Sequence, residues 1–340
     1  MGPFTENFER AFGKLLGIRE VVAVNSGTSA LEIILRCIGV KGRTVIVPTN
    51  TFVATPAAAI HAGASVMFAD TDSHLMLSRQ DLEGLLDDNV GAVVIVHIGG
   101  FVHPEVNEIR RLCEDRNLPL VEDAAHAHGS RLGELLAGTF GVASAFSFYP
   151  TKLLTTGEGG AIATNDLELA EKARVLRDQG KAGFDRNYHV ALGHNWRMGE
   201  LNAALGLRQL NALPRFIHHR QSIAAVYDAS LSDLNLGQPM EVPRQSLPNY
   251  YKYVFFLRDG VNRAQLKARL KVEFDVALSG EVYEMPCHLQ PVFQNLGIGG
   301  HRKLADSERL CAQHICLPIF SDMTAEEQQH VVHALQEMKA

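Results

Sequence analysis

Short apolar runs alternate with helix-like stretches over the first half of the chain. VVAV (21–24) leads into TSALEIILRCIG, and TVIVP (44–48) leads into ATPAAAIHAG. ASVMFAD (64–70) follows, then AVVIVH (92–97), a helix around 104–116, and LPLVED (118–123). ASAFSF (143–148) and GAIATN (160–165) complete the series. The runs are nearly continuous in apolar residues, as in strands buried on both faces. Their regular alternation with helices predicts an α/β fold with a mainly parallel sheet covered on both sides.

Beyond Asp166 the pattern turns helical. LELAEKARVLRDQG reads as a helix closed by Gly180, and LNAALGLRQLNAL is followed by a long helix from about 215 to 230. PNYYKYVFFL (248–257) restarts β structure, and helices near 263–274 and 324–338 complete a smaller α+β unit. The expected division is a large domain over 1–230 and a small one over 231–340, uncertain by about ten residues. There is no internal repeat.

Composition narrows the function. The 340 residues are 46% hydrophobic and 21% charged, ordinary globular values, and the formal charge is −6 with no run of lysine or arginine. That argues against nucleic acid or an anionic membrane as a partner. No apolar stretch approaches the roughly 20 residues of a membrane helix. MGPFTENFER has no signal-peptide pattern, and Glu6 stands where a myristoylation motif wants Ser or Thr. Five cysteines (Cys37, Cys113, Cys287, Cys311, Cys316) include no CxxC pair, which points to a reducing, cytoplasmic setting. Fifteen histidines raise a metal, but HExxH is absent and His126/His128, His218/His219 and His330/His333 lack zinc-site partners. No metal is expected.

In parallel sheets ligands bind beyond the carboxyl ends of the strands. The exits there read NSGTSALE, TNTFVAT, EDAAHAHG and SFYPTK. Ser29-x-x-Glu32 has capping-box spacing, so a helix N-terminus that could hold a phosphate is expected at NSGTSALE; taken alone, the same residues fit better a capped helix that binds nothing, since capping boxes are common and anion sites few. Asp123 ends an apolar strand, where a bare carboxylate is costly and needs a partner. That partner is either a backbone amide or arginine, or a protonated ring nitrogen. Lys152 stands between ASAFSF and the glycine turn GEGG. With Asp123 it matches the pairing of a Schiff-base lysine and an acid on the pyridine nitrogen that pyridoxal phosphate requires. Phe52 then lies on the face of the ring; otherwise it is an ordinary core residue.

NSGTSALE, PTNTFVAT, VEDAAHAHGS, SFYPTKLLTTGEGG and GHNWRMGELNAALGLRQL together resemble the DegT/DnrJ/EryC1/StrS family, in order and spacing, and YYKYVFFL, MPCHLQPVF and ICLPIF extend the likeness over almost the whole chain. The resemblance implies the aminotransferase fold type I, pyridoxal 5′-phosphate as cofactor, and amination of a nucleotide-linked keto sugar, with L-glutamate as donor. It implies Lys152 as the cofactor-binding and proton-shuttling lysine and Asp123 as partner of the pyridine nitrogen. Thr28, Ser29 and Ser147 would hold the phosphate, Phe52 would stack on the ring, and Asn195 would reach the phosphate from the neighbouring subunit of a homodimer. Arg197 is a candidate for anion binding or for an interface salt bridge. His288 is a candidate for the acceptor pocket or a loop histidine satisfied by its backbone surroundings.

The chain departs from the family pattern in three places. His126 stands where glutamine usually touches the cofactor's phenolic oxygen, with a charge expected to vary near neutral pH. HIGGF (97–101) lacks the usual tyrosine and glutamine, and about one helix is expected before GPFTENFE. A carbocyclic acceptor, of cyclitol or aminobenzoate type, and a cofactor-binding regulator without turnover remain as alternatives. A dehydrating relative that replaces the lysine with histidine is disfavoured by Lys152.

Overall fold

The computed structural model describes residues 1–183, 187–232, 234–278, 280–299 and 302–338. Strands β1 (Glu20–Val24), β2 (Thr44–Pro48), β3 (Ser65–Ala69), β4 (Val90–Val96) and β5 (Leu120–Asp123) enter a central sheet. The short β6 (Arg131–Leu132) and β7 (Leu135–Leu136) leave it, and β8 (Ala143–Ser147) and β9 (Gly160–Thr164) return. The seven-stranded order is β1-β9-β8-β5-β4-β2-β3, and β9 alone runs antiparallel to its neighbours.

The continuous apolar runs now have their reason. Val22, Val24, Val45, Val47, Ala92 and Val94 pack on one face, under helices α2 (Gly27–Cys37) and α3 (Ala54–His61). Val21, Ala23, Ile46, Val93 and Ile95 pack on the other, in one core with the buried Phe8 and Phe12 of α1 (Pro3–Leu16). Successive side chains of one strand thus enter two different cores. Helices α4 (Arg79–Leu85), α5 (Val106–Asp115) and α6 (Leu167–Arg177) complete the crossovers. Asp166 caps α6, and Gly180 (φ 79°) donates its N–H to Val175 O, closing the helix as expected.

Helix α7 (Glu200–Leu231) carries the chain into its last third. There β10 (Gly237–Pro239), β12 (Tyr253–Leu257) and β13 (His314–Leu317) form an antiparallel sheet, while β11 (Ser246–Leu247) pairs with β6. Helices α8 (Arg263–Phe274), α9 (Pro291–Asn295), α10 (Ala305–Gln313) and α11 (Ala325–Glu337) surround this second sheet. Its core includes Tyr227, Tyr253, Phe255 and Leu335, but also Leu75, Met76, Ile98 and Phe101 from the first half of the chain. Among the described residues no helix is long and apolar enough to cross a membrane.

Three local expectations need correction. Residues 200–231 form one helix, with Pro214 inside it; buried Leu213, Ile223 and Tyr227 offset the backbone bond that proline removes. The strand expected from 248 begins at Tyr253, because Asn249–Tyr251 form a turn with Tyr250 at φ 50°. Ser29 does not open a capping box with Glu32. The cap of α2 is Ser26, whose Oγ accepts from Ser29 N at 3.1 Å, and Glu32 is drawn instead to Arg36 at 2.5 Å.

Candidate active site

The carboxyl ends of β1, β2, β4, β5 and β8 open into a cavity of about 580 Å³, closed on the far side by residues 251–252 and 280–283. Asp123, 5% exposed, reaches it from β5. One carboxylate oxygen accepts from Thr55 Oγ1 at 2.7 Å and the other from Ala125 N at 3.2 Å. Burial nevertheless pushes its pKa up, against the pull of those two bonds and of Lys152. The site therefore contains a buried acid that gains from a nearby cation.

Asp123 is rigidly backed. Glu122 and His97 are wholly buried, with His97 Nε2 at 2.9 Å from Glu122 Oε2. Glu122 also accepts from the backbone of Gly138, Phe140 and Gly141, each at 2.7 Å. His97 Nδ1 accepts from His103 N at 3.1 Å, so its proton is on Nε2 and is donated to Glu122. The His97 backbone N–H donates to Asp123 O at 3.1 Å.

Lys152 rides on the segment that joins antiparallel β8 and β9. Its ammonium lies 4.8 Å from the centre of the Tyr251 ring. Burial lowers its pKa from 10.5 to about 8, opposed by Asp123 and reinforced by Lys252. A substantial neutral fraction near pH 8 is what an amine needs to attack an aldehyde. The glycine turn brings the chain back tightly: Gly157 has φ 79°, and a Cβ on Gly160 would lie 2.3 Å from Ser26 O. β9 thereby presses the lip of α2 against the cavity. Gly27 is equally constrained, since its Cβ would lie 2.8 Å from Ser147 Cβ.

Thr28, Phe52, His126 and Ser147 all line the cavity, as expected from the strand exits. Phe52 is 58% exposed and stacks on Tyr283 at 6.5 Å. Ser29 does not line it; the residue is buried and its Oγ lies 3.0 Å from Ser26 Oγ. His126 stacks on Tyr251 at 4.3 Å, and its Nδ1 has no hydrogen-bond partner. Burial, then Lys152 and Lys252, holds its pKa well below 6.5, so the ring is neutral at neutral pH rather than variable in charge.

The remaining candidates lie elsewhere. Arg197 is off the cavity wall, in an ion pair with Asp178 that fastens GHNWR beside β1. Asn195 is exposed, also off the wall, and bridged to Asp178. His288 is 2% exposed, with Nδ1 2.7 Å from Thr49 Oγ1 and Nε2 3.4 Å from Glu308; it does not face the cavity. Sequence reading missed Ser26, Tyr251, Lys252 and Tyr283. Only Ser26 carried a signal, as a second serine three residues before Ser29. The other three enter through tertiary packing. Buried Asn249 donates to the carbonyls of His126 at 2.9 Å and His128 at 3.0 Å, and Arg220 donates to Tyr250 O at 2.9 Å. HIGGF belongs to the same junction, since Gly100 (φ 94°) has no room for a Cβ beside Asn249.

A buried acid with no cationic partner among the described residues beyond Lys152, a lysine of lowered pKa, an imidazole with one nitrogen unpaired and a glycine-lined helix N-terminus fit a planar heterocycle with a cationic ring nitrogen and a phosphate. Among the described residues no group of three or more His, Cys, Asp or Glu is placed to hold a metal ion. The fold and site together define an α/β enzyme of the aminotransferase type. The sequence profile of the DegT/DnrJ/EryC1/StrS aminotransferase family matches residues 1–336, and the chain belongs to that family. It is 33% identical to a dTDP-3-amino-3,4,6-trideoxy-alpha-D-glucose transaminase from Micromonospora megalomicea subsp. nigra, over 99% of this chain and 90% of that protein. It is 30% identical to a GDP-perosamine synthase from Escherichia coli O157:H7, with the same coverage. The crystal structure of DesV from S. venezuelae superposes with a TM-score of 0.93 at 30% identity, covering 99% of this chain and 89% of that one.

Proposed function

We propose that the protein transfers an amino group from L-glutamate to the keto carbon of a nucleotide-linked sugar, in two alternating half-reactions with pyridoxal 5′-phosphate as cofactor. The observation that carries this reading is the convergence of Lys152 and Asp123 on one cavity beside the N-terminus of α2. The similarity to a dTDP-sugar transaminase and a GDP-perosamine synthase supports a nucleotide-linked acceptor. When bound, the cofactor supplies an electrophilic carbonyl and an electron-accepting ring.

The chain's own residues do the rest. Lys152 holds the cofactor through its ε-amine and, once released, moves a proton at its Nζ. Asp123 keeps the ring nitrogen protonated, and that positive charge offsets the burial that raises its own pKa. Thr28, Ser147 and the first backbone N–H groups of α2 take the phosphate. Ser29 positions Ser26 rather than touching the phosphate. Phe52 would lie against the ring, and His126 would meet its phenolic oxygen. Residues 1–230 act as the large domain and 231–340 as the small one.

Asn195 completes the site of a second copy in a homodimer. Exposed apolar residues on both sides of it support this, including Leu192 at 96% and Leu201 at 89% exposure. The five cysteines are all free, in keeping with the cytoplasm.

Purified protein is expected to be yellow and to bleach with L-glutamate. Persistent colour with every amino acid tried would favour a cofactor-binding regulator. Lys152→Ala is expected to abolish the borohydride-reducible linkage while the fold survives, and Asp123→Asn to cut turnover by about a hundredfold or more. Mixing Lys152→Ala with Asn195→Ala chains is expected to restore some activity; none would mean self-contained sites.

A further inference from the structure

The cavity contains a cation to which the scheme above gives no task. The charged residues of its described wall are Asp123, Lys152, Glu158, Glu281 and Lys252. Asp123 and Lys152 serve the cofactor. Glu281 is held by Lys267 at 2.7 Å and Arg263 at 3.9 Å. Arg197, the expected anion-binding residue, lies off the wall on Asp178. An amino-acid donor must nevertheless bring a carboxylate into a space walled by Phe52, Tyr251, Val282 and Tyr283, where an uncompensated anion is costly.

We propose that Lys252 receives the α-carboxylate of the amino donor. This rests on the aminotransferase reading of the same site. Lys252 and Lys152 share the Tyr251 ring, with ammonium groups 6.0 Å and 4.8 Å from its centre. The donor's carboxylate is borne by the same carbon as the reacting amine, so its cation must stand about one ring's width from Lys152. A sugar nucleotide's diphosphate is on the anomeric carbon, several bonds from a reacting keto carbon, and fits this spacing less well.

The backbone beneath Lys252 is preorganised: its N–H donates to Gly99 O at 2.9 Å, and Asn249 and Arg220 hold the preceding turn. Its Nζ donates to Gly280 O at 3.0 Å, at the exposed rim. The flexible lysine stem can turn its ammonium toward an entering carboxylate, which adds a full opposite charge to the hydrogen bond.

The test titrates the cofactor-loaded protein with maleate, a dicarboxylate that cannot transaminate, read by calorimetry. Lys252→Met is expected to weaken maleate at least about tenfold, and Lys252→Arg to stay within about threefold of wild type. Unchanged maleate affinity in Lys252→Met overturns the proposal. So does loss confined to a nucleoside diphosphate titrated in parallel, which would move Lys252 to the acceptor. Maleate binding that depends on Lys252, in a protein that no amino acid bleaches, would sink the transaminase reading and with it the donor assignment, leaving Lys252 only as a carboxylate-binding residue.

Discussion

Lys152 is poised between opposing neighbours. Burial and Lys252 favour its neutral form, while Asp123 favours the charged one. In cofactor-free protein, labelling by an amine-specific reagent should therefore be slow below pH 8 and level off above it, well short of 10.5, because only the neutral amine reacts. Lys252→Met should move that midpoint upward and Asp123→Asn downward. Shifts of the same sign in both variants would contradict this balance. At this scale the sequence was informative where chemistry sits at strand ends. Thr28, Phe52, Asp123, His126, Ser147 and Lys152 all reach the cavity. It was silent on Tyr251, Lys252 and Tyr283, which arrive from later segments and share no local spacing with the strand exits. Arg197 and His288 were left between two readings each, because a conspicuous charge or imidazole in a loop does not reveal its partner, here Asp178 and Thr49.

Among the elements, the strands were the most legible, because apolar runs buried on both faces cannot be mistaken for surface. Helix ends were less so. α1 was not read, although Phe8, Phe12 and Leu16 recur at helical spacing behind Pro3. Its N-terminus is capped from far along the chain: Glu200, the first residue of α7, accepts from Gly2 N at 3.1 Å, Phe4 N at 3.0 Å and Thr5 N at 3.1 Å. No window of sequence contains both partners. Glu200→Ala should cost about 1–2 kcal/mol, seen as a Tm lower by a few degrees. The contact between β9 and α2 makes a different prediction. Gly160→Ala forces apart the Ser26–Gly27 lip, so its loss of cofactor affinity should exceed what the fall in Tm alone explains. Cofactor titration beside a melting curve separates the two effects.

For the molecule as a whole, the packing shows no break at residue 230, where the proposed domain division falls. Leu75, Met76, Ile98 and Phe101 lie in one core with Tyr253, Ile315 and Leu335. Calorimetry of the cofactor-free protein should accordingly show one unfolding transition rather than two; two well-separated peaks would mean that the shared core does not couple the halves. The placement of β9 bears on how the enzyme is made. β1, which leaves the ribosome before every other strand of the central sheet, pairs with β9 alone among the strands of the described residues, and the last residue of β9 is Thr164. The nascent chain must hold an apolar edge in waiting while every parallel strand between them is synthesised. Only then can the Ser26–Gly27 lip meet Lys152, so vitamin capture during translation has to wait for that hairpin.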